Sequence, residues 1–419
     1  MTPRLALLAL ALAAAPAAAA PGTLVIAGGA VSADNDAVWQ SFLLARPADA
    51  PTIVIVPAAS SSPARAARAA ATTLINQGAA PEDIRILHLA TVDDEGTADV
   101  DESQWSGNAR SEAELAKLAN AGAIWFTGGD QSRITATLLE RDGSDTPMLA
   151  LMRARLGAGA VIGGTSAGAA IMSPMMITRG DSLIAMLAPV LRDGIGTSGR
   201  DGGQMAMAVG LGFFPWGIVD QHFDRRARLG RLSRALLAPG MQERYPRGFG
   251  IDENTAMVVN LATGEARAVG AGSVTLVDSG RATSRDVRGR LEADDLRLGL
   301  ANSGDRIAIA TMEVTPAAFK QPLSGREYHN HQVSDGGGMA IAGQTVEEVL
   351  GNDLLDNRGT RRLERLTLSG NEGVLFRFTQ TDDSRGWLGT DPDGRPRYSI
   401  SGVDFAIRPV RVRVAEVRR

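Results

Sequence analysis

The chain has 419 residues, of which 44% are hydrophobic, with 48 glycines and no cysteine. The length exceeds one ordinary domain, and the composition is typical of a soluble globular protein. Without cysteine, disulfides, thiolate nucleophiles and cysteine metal ligands are excluded. The formal net charge of −4 does not favour a nucleic-acid partner or an anionic membrane surface.

The first twenty residues have the pattern of a secretory signal peptide. Arg4 precedes the apolar run 5–14, and Ala18 and Ala20 occupy the small-residue positions of a cleavage site. The run is too short to span a bilayer, so we expect no membrane anchor after cleavage. The leader and the lack of cysteine together predict a bacterial periplasmic or secreted protein.

From Thr23 to about Val277, β-branched runs alternate with Ala-rich stretches. The pattern predicts strands at 23–27, 52–56, 84–89, 123–127 and 160–162, separated by helices at 64–76, 112–120, 133–139 and 148–156. This alternation predicts an α/β fold, with a mostly parallel sheet and helices on both faces. Active sites in such sheets lie at the carboxyl ends of strands, where this chain has turns at 28–29, 128–131 and 163–166.

The pattern changes at about Leu291 to short, charged segments with alternating polarity. We therefore predict a catalytic domain at residues 21–290 and a β-rich accessory domain at residues 291–419. Strands in the second domain are predicted at 373–379, 397–400 and 410–414. Residues 193–204, rich in glycine and polar side chains, predict a surface loop.

The segment Gly164–Gly168 fits the pattern G-x-S-x-G between a predicted strand and an apolar stretch. A nucleophile on such a tight turn crowds the neighbouring backbone, so small flanking residues are needed. Ser166 is therefore the candidate nucleophile, and the Ala167 N–H would help to stabilise an oxyanion. In a chain rich in Gly and Ala, the bare pattern also fits a structural turn.

A serine nucleophile needs a base, and the chain has four histidines. We favour His222, which follows the apolar run 217–219. His88 lies in a predicted strand, where a structural role is more common. His329 and His331 form a His-x-His pattern, which fits a metal clamp but more often belongs to an exposed strand or loop.

Charged residues follow His222 and complete the set of candidates. On a helix, Arg228 and Arg231 would share a face while Arg226 is displaced, and the set fits either a site mouth or a solvated surface. Asp252 and Glu253 precede a predicted strand, and either carboxylate would orient the histidine. Composition alone does not separate the two.

Four blocks resemble, in the same order, the motifs of the cyanophycinases, serine peptidases grouped with peptidase E. They are FTGGDQ at 126–131, GGTSAGA at 163–169, VDQHF at 219–223 with the three arginines and Leu232, and GIDENTA at 250–256. The likeness covers about residues 23–280. It implies a glutamine-amidotransferase-like α/β fold, a Ser-His-Glu triad, no metal or other cofactor, and cleavage of β-aspartyl-arginine units from cyanophycin.

The resemblance also implies roles for individual residues. Ser166 would be the nucleophile, His222 the base and Glu253 the group that orients it. The N–H groups of Gly129 and Ala167 would be oxyanion donors. Substrate-binding residues implied by the motifs are Gln131, Asp220, Gln221, Arg226, Arg228 and Arg231. The resemblance also suggests a homodimer, as in the family. The long segment 178–204 and the region after residue 290 depart from the family's pattern and leave the substrate preference open.

Other functions remain open on the sequence. An α/β-hydrolase esterase shares G-x-S-x-G, but its chain order is Ser, acid, His, which would require His329 or His331 as the base. A peptidase E-like aspartyl dipeptidase is closer, although the DQHF block with its arginines and the leader favour the cyanophycinase branch. A secreted binding protein on a retired scaffold is expected to have lost its nucleophile or base, and both are present.

Overall fold

The computed structural model of this protein describes residues 21–199, 202–340 and 342–413. The predicted leader at residues 1–20 lies outside these ranges. In the described ranges, no helix combines the length and the apolarity needed to cross a membrane.

The described residues form strands of two large sheets, a small third sheet, and helices. In chain order the strands are β1 Thr23–Ala27, β2 Thr52–Val56, β3 Ile84–Ile86, β4 Ala121–Phe126, β5 Val161–Thr165, β6 Met175–Arg179, β7 Leu191–Arg192, β8 Ala206–Val209, β9 Ile218–Gln221, β10 Arg247–Ile251, β11 Thr255–Asn260, β12 Glu265–Gly270, β13 Ser273–Asp278, β14 Thr283–Val287, β15 Arg290–Asn302, β16 Arg306–Ala308, β17 Glu313–Thr315, β18 Gln321–Pro322, β19 Arg362–Ser369, β20 Glu372–Thr379, β21 Arg385–Thr390 and β22 Pro396–Arg411. The α-helices are α1 Asp36–Leu44, α2 Pro63–Asn76, α3 Glu112–Leu118, α4 Gln131–Leu138, α5 Pro147–Gly157, α6 Ala167–Ala170, α7 Ser182–Leu187 and α8 Leu229–Leu236. Short 3₁₀ helices lie at Pro81–Asp83, Trp105–Arg110 and Asp224–Arg226, and a π-helix at Glu348–Leu355.

The first sheet has a parallel half and an antiparallel half. Its order in the described residues is β17-β16-β12-β11-β1-β5-β4-β2-β3. The strands from β1 to β3 in this order run parallel, and those from β11 to β17 pair antiparallel. In β1, Leu24 and Ile26 pack into one buried cluster with α4 and α5, while Val25 and Ala27 pack into another with α1 and α2. Helices thus cover both faces, which confirms the predicted α/β architecture.

Two predictions of local structure need correction. The sequence pattern leaves α1 unpredicted. Its start is capped by Asn35, and its Phe42 packs 5.0 Å from Trp125, centroid to centroid. The short helix is stabilised by this aromatic packing rather than by a strong local signal. The predicted strand 84–89 ends at Ile86, so His88 lies in the loop that follows β3.

The second sheet carries the turns that bear His222 and Glu253. Its main order in the described residues is β18-β21-β22-β15-β13-β10-β9, with β14 paired to β15 and the β19–β20 hairpin joined to β22. β9 and β10 run parallel, and the other pairs in this sheet are antiparallel. The predicted strand 373–379 corresponds to β20, and 397–400 falls within β22. The small third sheet, β6-β8-β7, lies around the long segment 178–204.

The predicted boundary between residues 290 and 291 falls at the start of β15. This strand pairs with β13 on one side and with β22 on the other. The strands β16 and β17 also extend the first sheet beyond β12. Hydrogen bonding therefore continues across the predicted boundary, and the division into two domains stays a prediction.

We predict that a chain ending at residue 290 does not fold stably. It would lose Leu296, Leu298 and Leu300, which are at most 1% exposed, and burying three such side chains contributes about 5 kcal/mol or more. That amount is comparable with the whole stability of an ordinary domain. Circular dichroism melts should show no cooperative transition for residues 21–290, against a clear one for residues 21–413. A soluble 21–290 fragment melting within a few degrees of the longer chain would instead support two independent domains.

Candidate active site

Ser166 lies on the turn between β5 and α6, at the carboxyl edge of the first sheet. Its backbone has φ 54° and ψ −108°, a conformation that non-glycine residues rarely adopt. A Cβ on Gly164 would lie 2.6 Å from the carbonyl oxygen of Gly168, and a Cβ on Gly168 would lie 2.7 Å from that of Phe126. The G-x-S-x-G spacing therefore reflects two close backbone approaches around a strained serine.

His222 follows β9 and connects the serine to a carboxylate. Its Nε2 lies 2.8 Å from Oγ of Ser166, and its Nδ1 lies 2.6 Å from Oε1 of Glu253. Because a carboxylate only accepts hydrogen bonds, Nδ1 carries the ring proton and Nε2 accepts from the serine hydroxyl. The structure thus brings together the three side chains that the motifs indicate.

The neighbouring carboxylate, Asp252, has different partners. Its Oδ2 accepts from the backbone N–H of Ser273 at 2.9 Å and from the Ser273 hydroxyl at 2.7 Å, and its Oδ1 accepts from the N–H of Asp224 at 3.1 Å. Of the two carboxylates that the sequence left open, Glu253 is therefore the one that meets the histidine.

The turn that leaves β1 contacts all three segments of the site through its backbone. The successive carbonyls of residues 27, 28 and 29 each accept one N–H group, and the donors are Ser166 at 3.0 Å, His222 at 2.6 Å and Asn254, which follows Glu253, at 2.8 Å. One short piece of backbone thereby fixes the relative positions of the segments that bear Ser166, His222 and Glu253.

Gly29 in this turn also touches the catalytic ring. Its φ is +117°, in the region that favours glycine, and a Cβ there would lie 2.3 Å from Cε1 and 2.5 Å from Nε2 of His222. Any side chain at this position would displace the imidazole.

The environment of His222 favours its neutral form. Burial lowers the pKa of the imidazole below its ordinary value of 6.5, and the positive charges of Arg226 and Arg228 lower it further, while the hydrogen bond to Glu253 acts in the opposite direction. A neutral imidazole is the form that can accept a proton from Ser166.

The predicted oxyanion donors border the nucleophile. Ala167 is the first residue of α6, where N–H groups have no partner within the helix. A Cβ on Gly128, in the same turn as Gly129, would lie 3.4 Å from Cβ of Ser166. In the described part of the chain, neither the Gly129 N–H nor the Ala167 N–H donates to a backbone carbonyl. Both groups are therefore suited to stabilise a negatively charged oxygen.

Four of the predicted substrate-binding side chains are buried and satisfied within the fold. The Nε and Nη2 of Arg231 lie 2.8 and 2.6 Å from the two carboxylate oxygens of Asp220, and these side chains are 2% and 1% exposed. Arg228 is also buried, and its Nη1 donates to Oε1 of Gln221 at 2.8 Å. The bonds join these four side chains to one another, and their predicted contact with substrate stays a prediction.

The remaining two predicted pocket residues differ from each other. Arg226 is exposed, and it is close enough to His222 to lower the pKa of the ring. Gln131 is buried, and its Nε2 donates to the carbonyls of Ile177 and Thr178 at 3.0 and 2.7 Å. Gln131 thus connects the start of α4 to β6, whereas the exposed Arg226 stays a predicted substrate-binding residue.

The other histidines lie elsewhere. His88 is exposed and stacks on Trp105 with 4.5 Å between the ring centroids. The Nε2 of His329 lies 2.8 Å from Oδ1 of Asn352, and the His329 ring meets His331 edge to face. Among the described residues, no group of three or more His, Asp or Glu side chains is arranged to hold a metal ion.

The geometry agrees with a comparison of the sequence with known families. The model of Peptidase family S51 matches residues 23–265, a span that contains Ser166, His222 and Glu253. The chain belongs to peptidase family S51.

Relatives of this S51 chain include proteins named cyanophycinase. The one from Nostoc sp. (strain PCC 7120) is 31% identical over 313 residues, which cover 73% of this chain and 91% of the relative. Those from Synechococcus elongatus and Geminocystis herdmanii are 34% and 40% identical over 225 and 191 residues, or 52% and 44% of this chain. The chain spans 62% and 61% of the length of these two relatives. A crystal structure of a peptidase from an acI-B1 actinobacterium aligns over 69% of this chain and 98% of that chain, with a TM-score of 0.45 and 18% identity.

Substituting Gly29 by Ala should abolish activity by displacing the His222 ring. We expect kcat to fall by about 100-fold or more, since small misplacements of catalytic groups have effects of this size. Gly78→Ala is the matched control, because φ at Gly78 is +103° but a Cβ there meets nothing within 4 Å. Steady-state kinetics should show Gly78→Ala within about twofold of wild type. Equal losses in both variants would mean that backbone strain alone, and not the ring contact, is responsible.

The lowered pKa of His222 predicts the position of the acid limb of the pH profile. The base works when neutral, so activity is retained as the pH falls to the pKa of the free enzyme and is lost below it. We expect the apparent pKa of the acid limb of kcat/KM to lie below the ordinary histidine value of 6.5. A limb centred above that value would contradict the burial of the ring.

Proposed function

We propose that this chain is an exported serine peptidase that hydrolyses cyanophycin or related β-aspartyl-arginine peptides through an acyl-enzyme. The observation that carries the proposal is the line of hydrogen bonds from Ser166 through His222 to Glu253. Membership of family S51 and identity of 31–40% to cyanophycinases support the substrate class. Export by the leader at residues 1–20 and assembly into a homodimer belong to the same proposal and rest on the sequence.

In the first half of the proposed reaction, Oγ of Ser166 attacks the carbonyl carbon of the isopeptide bond while Nε2 of His222 accepts the hydroxyl proton. The carbonyl oxygen becomes an oxyanion that receives hydrogen bonds from the N–H groups of Gly129 and Ala167. His222 then donates its proton to the departing α-amine as the C–N bond breaks.

In the second half, a water molecule attacks the acyl carbon. His222 accepts a proton from this water, and the collapse of the second tetrahedral intermediate returns that proton to Oγ of Ser166. Throughout, the carboxylate of Glu253 accepts the Nδ1–H hydrogen bond and stabilises the imidazolium that forms in each half. The products are a free carboxylic acid and a free amine, so no other reactant is needed.

Arg226 is our candidate for recognising the substrate's carboxylates. In a β-aspartyl-arginine unit the scissile bond joins an aspartate side-chain carbonyl to the arginine α-amine, so carboxylate groups lie close to it. A guanidinium binds a carboxylate through two parallel hydrogen bonds, which lysine does not reproduce. Arg226 is exposed beside His222, whereas Arg228 and Arg231 are buried.

The proposal is tested by assaying purified protein on cyanophycin, β-Asp-Arg dipeptide, α-linked Asp dipeptides and simple esters. We expect hydrolysis of the first two, and a loss on the order of 10⁶ in kcat for Ser166→Ala. This change removes only a hydroxyl from a turn that already has Ala at 167 and 169, so the melting temperature should hold.

Histidine variants provide the matched control. His222→Ala should be as inactive as Ser166→Ala, whereas His329→Ala and His331→Ala should retain activity, also in the presence of EDTA. If the His329/His331 double variant is inactive while His222→Ala is active, the result favours an α/β-hydrolase esterase with His329 or His331 as its base. Turnover of α-linked Asp dipeptides alone would indicate a peptidase E-like enzyme, and no turnover of any substrate would indicate a binding protein.

A further inference from the structure

The C-terminal region, from residue 291 to the last described residue, 413, contacts the turn that bears His222. The backbone N–H of Val346 donates to the carboxylate of Asp224, two residues after His222, with the nearer oxygen at 3.2 Å. The segment that supplies this N–H is itself ordered by a reciprocal cap. Thr345 N–H donates to Oε2 of Glu348 at 2.9 Å, and Glu348 N–H donates to Oγ1 of Thr345 at 3.1 Å.

Asp224 also connects the histidine turn to the glutamate turn. Its own N–H donates to Oδ1 of Asp252 at 3.1 Å, and Asp252 is fixed in turn by Ser273 of β13. Asp252 immediately precedes Glu253. A path of hydrogen bonds therefore runs from Val346 through Asp224 and Asp252 to Ser273, next in sequence to His222 and Glu253.

This path lies in a buried, acidic environment. Burial raises the pKa of Asp224 well above its usual range, and the charges of Asp252, Glu347 and Glu348 act in the same direction. Burial also raises the pKa of Asp252. Val346 is 1% exposed, so its N–H would gain little water in exchange for a lost partner.

We propose that Asp224 is a positioning residue through which the C-terminal region holds His222 in line with Ser166 and Glu253. His222 has a φ of 49°, a strained conformation that persists only when its surroundings fix it from several sides. The Gly28 carbonyl holds the turn before the ring, and the link from Asp224 to Val346 holds the turn after it. The inference rests on the proposed function only in taking His222 to be the base.

Two variants remove the two sides of the same hydrogen bond. Asp224→Ala removes the acceptor. Val346→Pro removes the donor at the start of a helical segment, directly after the capping Thr345, where proline is tolerated. We expect each to lower kcat for hydrolysis of the β-Asp-Arg dipeptide about tenfold with little change in KM. The double variant should be no worse than either single one, because both remove one interaction.

Asp224→Asn keeps an acceptor oxygen in place, so we expect it to retain kcat within about threefold. Asp335→Ala is the matched control. Oδ1 of Asp335 accepts the N–H of Glu364 at 2.8 Å, a bond of the same kind inside the C-terminal region. This control should leave kcat unchanged even where it lowers the melting temperature.

NMR of histidine-labelled protein reports the position of the His222 ring without requiring turnover of a substrate. The chain has four histidines, so the spectrum contains few signals. The downfield proton resonance of Nδ1–H reports the hydrogen bond to Glu253. We expect this resonance to weaken in Asp224→Ala and Val346→Pro, because the ring is then no longer held in line with Glu253. The other charged groups that face the ring, Arg226 and Arg228, are unchanged in these variants.

The proposal is overturned if both single variants keep the wild-type resonance and kcat, or if Asp335→Ala reproduces their effect. Because Val346→Pro leaves every acidic side chain in place, it tests the link even if Asp224→Ala does not fold. A wild-type protein that shows the resonance but hydrolyses no substrate would contradict the proposed function. The resonance in the variants would still decide the role of Asp224.

Discussion

Three consecutive carbonyls at the end of β1 are the constraint on which the geometry of the site depends. The first sheet supplies the serine, and the second supplies the histidine and the glutamate. The turn at residues 27–29 is bonded to the backbone of all three segments. Residues 28 and 29 of this turn cannot carry side chains, since a Cβ on Gly28 would lie 2.1 Å from the carbonyl oxygen of Asp252 and one on Gly29 would enter the imidazole.

Backbone strain is concentrated at the same place. Ser166 and His222 have φ values of 54° and 49°, and Ala30 and Asn254 beside them are also in the left-handed region. Such conformations cost about 1–3 kcal/mol each and need surroundings that over-determine them. Two features provide that support at the histidine. One is the buried ion pair of Asp220 and Arg231, and the other is the hydrogen bond between Asp224 and Val346 of the C-terminal region. The residues after 290 are therefore part of what makes the site rigid.

Ser166 and His222 could be selected as candidates from the sequence because each lies in a short motif next to a strand end. The ion pair between Asp220 and Arg231 could not be predicted, because a charged residue in a sequence looks the same whether it faces solvent, substrate or another charge. Asp252 and Glu253 are adjacent, and their side chains point in different directions after β10 ends. Asp252 accepts a hydrogen bond from Ser273, whereas Glu253 bonds to His222, and a sequence does not show this difference in direction. The composition changes near Leu291, where the strands become half-exposed. Backbone pairing does not follow composition, and β15 pairs with β13 on one side and with β22 on the other. This strand therefore connects the two regions that were predicted to be separate domains.

The dependence of the site on residues 27, 166, 222 and 254 also determines when the protein becomes active. During synthesis these positions emerge far apart in time. The β1 turn therefore cannot bond all three segments until the last of them, which bears Glu253, has left the ribosome. The pairing of β15 with β22, which brings Arg297 opposite Asp404, is later still. Contacts between such distant positions form slowly. A chain in which these contacts have not formed therefore lacks the arrangement of Ser166, His222 and Glu253 seen in the folded protein.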